Sequence, residues 1–330
     1  MTVDKDASFP NSMSVATEAS FVVHLKTKED ILEIAALARQ ESLPLIPLGD
    51  GTNILPTAKL EAVVAVLGLK GIELDGDILK AQAGENWDQV VAFAVKNNLG
   101  GIEALSAIPG KIGAAPIQNI GAYGSDVSNV LEYVEAYDRK KEEFITLSKK
   151  ECQFEYRDSL FKQNKDRFIV TSIQLKLSRE TPKIPDYKDV KNYFAKRNIT
   201  TPTLLEIREA IIEIRKNKLP DPKVVPNCGS FFKNPFVKKE VVKKLKKIFP
   251  NMPTFEQESK MKVPAGFLIE QAGFKGKKIG KIEIYKNNAL VLTNPNHASF
   301  SDIMKAKDTI QKSVFQKFCI MLEPEVNIIV

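Results

Sequence analysis

Histidine is close to missing from this chain of 330 residues: there are two, His24 and His297. His-rich metal sites and most His-based catalytic schemes are therefore poorly supplied. Cysteine is almost as scarce. Cys152, Cys228 and Cys319 are odd in number and far apart, which fits neither a disulfide framework nor a four-ligand zinc site, so reduced thiols and no metal centre are expected. No apolar run approaches the ~20 residues that cross a bilayer, and the opening MTVDKDASFPNSM lacks a basic-then-apolar signal region. A cytoplasmic protein without a membrane partner is the expectation. Internal repeats and low-complexity tracts are lacking too. With 43% hydrophobic and 27% charged residues, disorder and collagen are excluded. A chain of this length is expected to fold as two or three packed domains with a sizeable core.

The net charge of +7 admits nucleic acid, a membrane surface or small polyanions as partners. Most of it is local. Lys238 to Lys247 holds six lysines against one glutamate, and Val241, Val242, Leu245 and Ile248 recur there at helical spacing, which puts the lysines on a solvated opposite face. No basic stripe interleaved with aromatics occurs elsewhere, so no nucleic-acid partner is expected.

Periodicity predicts a strand over 21–26, a helix opened by the capping-box pattern Thr27-Lys28-Glu29-Asp30 and running to Arg39, and a strand in LPLIPLG. This β-α-β unit ends in the turn Gly49-Asp50-Gly51-Thr52-Asn53. Strands over 61–67 and 78–84 follow, then a helix whose Trp87, Val90, Val91, Ala94 and Val95 share a face until Gly100-Gly101 stops it. From Ile108 to Gly124 the chain is loop-like and dense in Gly, Pro and Ala, a length that a compact domain uses for function. Strands near 130–137, 143–147 and 167–177 come next. A helix from Leu204 to Lys216 leads to Leu219-Pro220-Asp221-Pro222, whose prolines mark a hinge or domain junction. Beyond lie the loop PNCGSFFKNP, the lysine helix, an apolar helix from Pro264, a strand over Ala289 to Thr293, a helix from Ser301 to Lys317, and a final strand in CIMLEPEVNIIV.

Familiar nucleotide signatures fail. Gly49-Asp50-Gly51-Thr52-Asn53-Ile54 has Ile where a dinucleotide crossover needs its third Gly, and Gly276 to Lys281 has the wrong spacing for a P-loop. What remains is a pair of glycine-rich turns, Pro47 to Asn53 and Pro109 to Gly124. Successive N–H groups in such turns form concavities that accept a pyrophosphate, so a bound dinucleotide is expected.

The stretches PLGDGTNIL, GIEALSAIPGKIGAAPIQNIGAYG, YRDSLFK, KLPDPKVVPNCGSFFKNP, AGFLIEQAGFKGKKIG and LEPEV resemble, in this order, the UDP-N-acetylenolpyruvoylglucosamine reductase family. The resemblance covers nearly the whole chain from Asn11 onward. It implies an α+β fold: a two-lobed FAD-binding domain of the vanillyl-alcohol-oxidase (PCMH) type, and a C-terminal α+β substrate-binding domain. The implied boundaries are 1–70 for the first lobe, with strand 322–330 returning to it, 71–218 for the second, and 219–321 for the substrate domain. Tyr187 in PDYKDV resembles the substrate-gripping tyrosine loop of the family's longer form.

The implied chemistry is reduction of UDP-N-acetylglucosamine enolpyruvate to UDP-N-acetylmuramate, with non-covalent FAD as cofactor and NADPH as co-substrate, in a monomer. Hydride reaching the methylene carbon of an enolpyruvyl ether leaves negative charge on the neighbouring carbon and its carboxylate. Arg157 matches the family's arginine, whose planar guanidinium can hold that charge with two hydrogen bonds. Glu325 matches the family's glutamate and can donate to the same charge only in its acid form. Ser230 matches the proton donor to carbon, a role open to a weak acid because a carbanion is a strong base. For the flavin the resemblance implies Gly49, Gly51, Thr52, Asn53 and Ile54 in the first turn. In the second it implies Pro109, Gly110, Gly113, Ala114, Gln118, Asn119, Ile120, Gly121, Ala122, Tyr123 and Gly124, with Arg215 on the flavin side. Tyr187, Lys218, Asn234, Lys275 and Asn288 match positions that hold the UDP-sugar.

The chain departs from the family pattern at Asn11-Ser12-Met13, at Asp50 and Thr52, at Asn288 in place of a longer amide, and at Cys228, where small residues such as Ala are common. The rivals are another FAD-dependent oxidase of the same fold, a thiol hydrolase using Cys228 and His297, and a non-catalytic nucleotide-binding module.

Overall fold

The computed structural model describes residues 1–257 and 259–330, which separate into two compact units. The first comprises Met1–Phe9, Glu18–Gly51 and Leu60–Lys216; the second comprises Pro10–Thr17, Thr52–Lys59 and Asn217–Val330.

In the first unit a four-stranded sheet has the order Thr2–Ala7, Glu18–Leu25, Lys59–Leu67, Leu45–Leu48, its last pair parallel. The helix Lys28–Gln40 begins as its sequence dictates: Thr27 and Asp30 cap one another's backbone N–H groups. Ile31, Ile34, Ala35 and Ala38 recur at helical spacing and are buried, in one cluster with Leu25, Val63 and Ala65. A second, five-stranded antiparallel sheet has the order Glu143–Ser148, Leu131–Asp138, Phe168–Lys176, Ile78–Gln82, Ile72–Asp75. Its core takes in the helix Trp87–Lys96, whose Trp87, Val90, Val91, Ala94 and Val95 are all buried. Helices Lys188–Ala195 and Leu204–Lys218 close a smaller cluster around Phe194, Ile207 and Ile211.

In the second unit the strands Asn227–Ser230, Val291–Thr293, Ile282–Ile284 and Lys278–Ile279 form a sheet in that order, beside a three-stranded sheet Phe236–Val237, Lys260–Lys262, Phe255–Gln257. Helices Lys239–Ile248, Ala265–Gln271 and Phe300–Phe318 accompany them. Phe231, Phe232, Leu268, Ile303 and Ile310 are almost wholly buried and share one cluster with Met13 and Leu55. Each such phenylalanine contributes about 2 kcal/mol by leaving water.

Several expectations change. Both lobes expected of 1–218 belong to one unit, except for Pro10–Thr17 and Thr52–Lys59, whose apolar side chains pack with the C-terminal residues. The segment 322–330 does pair with an early strand, Asn327–Ile329 running parallel to Ile54–Pro56, but both lie in the second unit. The opening residues, for which no element is predicted from the sequence, form the strand Thr2–Ala7; it is exposed along most of its length and is held by its antiparallel ladder to Glu18–Leu25, so no apolar alternation announces it. On the lysine helix Val242 and Leu245 are buried but Ile248, assigned to the same face, is 70% exposed, because the helix ends there.

Candidate active site

The two glycine turns supply the flexible backbone, and the first is divided between the units: Gly49 and Gly51 fall in the first, Thr52, Asn53 and Ile54 in the second. Gly51 is left-handed at φ +64°. A Cβ on Gly49 would lie 3.2 Å from the Lys111 side chain, and Lys111 Nζ sits 3.4 Å from the Asp50 carboxylate. The turn at 49–51 and the start of the loop 108–124 are thus neighbours.

Within that loop one short 3-10 turn, Ile112–Ala114, and a two-strand ladder of Gly121–Ala122 with Ser125–Asp126 replace part of the irregular loop expected. Gly113 N–H donates to Ala83 O at 2.9 Å, and a Cβ there would meet Ala83 Cβ at 2.8 Å, so only glycine permits the loop to seat against the sheet. Gly110, Asn119, Tyr123 and Gly124 all have positive φ. Positive-φ residues let a loop turn its backbone N–H groups toward an anion. With small residues and the cations Lys111 and Arg215 close by, these residues fit a flavin dinucleotide.

Three side chains assigned from the sequence converge on this loop. Arg157, itself at φ +56°, donates from Nη2 to Gly121 O at 2.6 Å and from Nη1 to Asn119 O at 3.5 Å, while its guanidinium carbon lies 5.4 Å from the Tyr156 ring centre. Tyr187 sets its ring edge to face against Tyr123. Arg215 donates from Nε to Ala107 O at 3.2 Å and makes a hydrogen bond with the Tyr123 phenol. Burial pulls the Arg215 guanidinium below its ordinary value, and burial pushes the Tyr123 phenol up to about 12.

The second unit gathers Ser230 and Glu325. A register shift between Asn227 and Ser230, with Gly229 at φ +75°, bulges the strand ahead of the serine. Asn227 Oδ1 accepts from Gly229 N–H at 2.9 Å, and its amide donates to Pro220 O and Val225 O. The next residues pair with the C-terminal segment: Glu325 N–H donates to Phe231 O at 2.8 Å and Lys233 N–H to Glu323 O at 2.9 Å. Ser230 and Glu325, distant in sequence, therefore sit one residue apart across a backbone pairing. Asn53 Nδ2 donates to Glu325 O at 3.4 Å. Asn234 Oδ1 accepts from Ala265 N–H at 2.9 Å at the start of the helix Ala265–Gln271. Asn288 Oδ1 accepts from Leu290 N–H and lies near Gly266. Lys275 pairs with Glu270 at 2.9 Å, and Lys218 closes the helix Leu204–Lys218.

Cys228 is 5% exposed. Burial, with the nearby Glu325 carboxylate adding to it, pushes its thiol up to about 12, the opposite of what a thiolate nucleophile needs. That removes the physical basis of the thiol-hydrolase rival. Among the described residues no group of three or more His, Cys, Asp or Glu side chains could hold a metal, and no helix is long and apolar enough to cross a membrane. One cavity of about 620 Å³, lined by residues such as Ala35, Arg39, Arg139 and Arg167, includes none of the site residues placed above. Sequence reading missed Asp88, Arg208 and Asn227, which hold the loops in place; only Asp88, an acid in the first turn of a helix, carries a local signal.

An α+β unit whose glycine loops fit a flavin dinucleotide, followed by a second α+β unit, agrees with the class that the matched flavin domain assigns: FAD-dependent oxidoreductases with the vanillyl-alcohol-oxidase (PCMH) type of flavin domain. Residues 19–148 match the model of the FAD binding domain, and residues 221–329 match that of the UDP-N-acetylenolpyruvoylglucosamine reductase C-terminal domain. The chain is 41% identical to a UDP-N-acetylenolpyruvoylglucosamine reductase of Flavobacterium johnsoniae, over 97% of this chain and 96% of that protein. To one of Pseudomonas aeruginosa it is 37% identical, over 96% of each. A crystal structure of the reductase from Thermus caldophilus shares the fold, with a TM-score of 0.69 at 22% identity over 97% of this chain and 96% of that one. The chain belongs to the UDP-N-acetylenolpyruvoylglucosamine reductase family, flavoproteins of peptidoglycan-precursor synthesis.

Proposed function

We propose that the protein reduces UDP-N-acetylglucosamine enolpyruvate to UDP-N-acetylmuramate with electrons from NADPH, as a cytoplasmic monomer with non-covalently bound FAD. The observation that carries this reading is the backbone pairing that sets Glu325 one residue from Ser230, because protonation of carbon next to a developing charge needs a hydroxyl and a carboxyl from neighbouring positions. FAD held by the two glycine turns would supply the hydride chemistry between NADPH and the enolpyruvyl methylene carbon. The Arg157 guanidinium holds the substrate carboxylate, where the charge develops. Glu325 acts with Arg157 on the same charge. Ser230 Oγ–H delivers the proton to the carbon bearing the carboxylate, completing addition of one hydride and one proton across the double bond. The Tyr187 hydroxyl, Lys218, Asn234, Lys275 and Asn288 bind the UDP-sugar, with the lysines directed to its phosphates.

The test is anaerobic. NADPH should bleach the yellow protein, and UDP-N-acetylglucosamine enolpyruvate should restore the colour while UDP-N-acetylmuramate accumulates; bleaching that only oxygen reverses would favour an oxidase. Acid precipitation should release all the flavin, because neither glycine turn offers a His or Cys for attachment.

A further inference from the structure

Between the helices Trp87–Lys96 and Leu204–Lys218 lies a polar network that the chemistry above leaves unused. The first turn of the earlier helix grips the approach to the glycine-rich loop at three points. Trp87 Nε1 donates to Leu105 O at 2.9 Å, Trp87 N–H donates to Gly110 O at 3.0 Å, and Asp88 Oδ1 accepts from Ala107 N–H at 2.6 Å. The later helix contributes Arg208, bidentate on the Asp88 carboxylate at 2.6 and 2.8 Å, and Arg215, whose Nε donates to Ala107 O. Side chains therefore bind both backbone polar groups of Ala107. This residue is a non-glycine held at φ +57°, a conformation that persists only where the surroundings impose it.

Arg215 also bonds the phenol of Tyr123, at the far end of the loop. A single buried guanidinium thus links residue 107 to residue 123, and Asp88 with Arg208 anchors that link to two helices. The Asp88 carboxyl stays below its ordinary value although burial pushes it up, because Arg208 and the Ala107 N–H outweigh burial. A partly buried ion pair returns little net stability for its desolvation, so its geometry, gripping Ala107 from two helices, is the more telling feature.

We propose that Asp88 and Arg208 are positioning residues for the cofactor: by fixing Ala107 and Arg215 they hold the loop Ile108–Gly124 in the shape that receives FAD. The proposal rests on the assignment of that loop to the flavin.

The test uses the full-length holoprotein and its Asp88→Asn, Arg208→Gln and Tyr123→Phe variants. Three quantities are read: the FAD dissociation constant from ultrafiltration, the visible circular dichroism of bound flavin, and the melting temperature. Asp88→Asn and Arg208→Gln should each weaken FAD binding roughly tenfold or more and alter the visible dichroism, and Tyr123→Phe should move both in the same direction. A lowered melting temperature with parental FAD affinity and dichroism would make the network a fold-stabilising one and overturn the proposal. Should Asp88→Asn and Arg208→Gln fail to fold, parental values in Tyr123→Phe overturn it instead. Gly110→Val, which burdens a residue at φ +122°, separates the underlying assignment. If it too leaves FAD affinity unchanged, the loop is not the flavin's; if it weakens FAD while Asp88→Asn does not, only the positioning role fails.

Discussion

Tyr123 and Tyr187 meet edge to face, with ring centroids 5.2 Å apart and planes at 81°, although three strands of the second sheet separate them in sequence. Tyr123 is held left-handed at φ +51°. Beside it, a Cβ on Gly124 would come within 3.3 Å of Asp186 O, so residues 123 and 124 together seat the turn that carries Tyr187. Tyr187→Phe keeps this ring contact and loses only the hydroxyl. KM for the UDP-sugar should rise roughly tenfold with kcat nearly unchanged in steady-state kinetics; an unchanged KM would show that the hydroxyl does not touch substrate.

Ser230→Ala should separate the half-reactions. Bleaching by NADPH needs no proton delivered to carbon and should proceed at a near-parental rate. Reoxidation by the enolpyruvyl substrate should slow by roughly 10²- to 10⁴-fold, the usual contribution of a positioned acid. Stopped-flow absorbance of the flavin reads both, and parental reoxidation would remove Ser230 from the proposed role.

Thiol chemistry should be selective. Burial pushes Cys152 and Cys228 each up to about 12, with a neighbouring glutamate adding to it in both cases, whereas Cys319 is exposed. Brief iodoacetamide treatment of the folded protein near pH 8 should label Cys319 alone by mass spectrometry, and Cys228→Ala should leave turnover within a few-fold. Early labelling of Cys228, or loss of activity in Cys228→Ala with FAD retained, would reopen the hydrolase reading.

Acid should weaken the first unit through Glu135, which accepts from Lys28 at 3.1 Å and Lys80 at 2.7 Å. Burial acts to raise this carboxyl, but the two ammonium groups prevail and bring it from 4.5 down to about 2. The folded value lies below the unfolded one, so the stabilisation is complete above pH 4.5 and is lost as pH falls toward 2. Its size is on the order of 2 to 3 kcal/mol. Urea unfolding across that window should show a shallower loss of stability in Glu135→Gln than in the parent; parallel curves would mean the pair contributes nothing.

Local signals were the legible ones. Thr27 and Asp30 announced a helix start, and the spacing of Trp87, Val90, Val91, Ala94 and Val95 announced a buried face, because capping and periodicity are written in adjacent residues. The strand Thr2–Ala7 has no such signature, since its partner supplies hydrogen bonds and no apolar cover. The motif resemblance named Arg157, Ser230 and Glu325, but not the backbone pairing that brings Ser230 and Glu325 together. Asp88 and Arg208 were invisible for the same reason: a bidentate ion pair spanning two helices leaves no trace in either helix's own pattern. The division of the chain inside Gly51-Thr52 was hidden as well, because it depends on Leu55 and Met13 finding their cover among residues beyond Asn217.

The parallel pairing of Ile54–Pro56 with Asn327–Ile329 also sets a schedule for biosynthesis. Ribosomes add about 5–20 residues per second, so the early strand waits roughly 15 to 55 s for its partner to be made. Throughout that interval Leu55, fully buried in the finished protein, has no native cover from the C-terminal residues. Chaperone capture of nascent chains should therefore persist until Asn327–Ile329 emerge, and the second unit should gain protease resistance only after that.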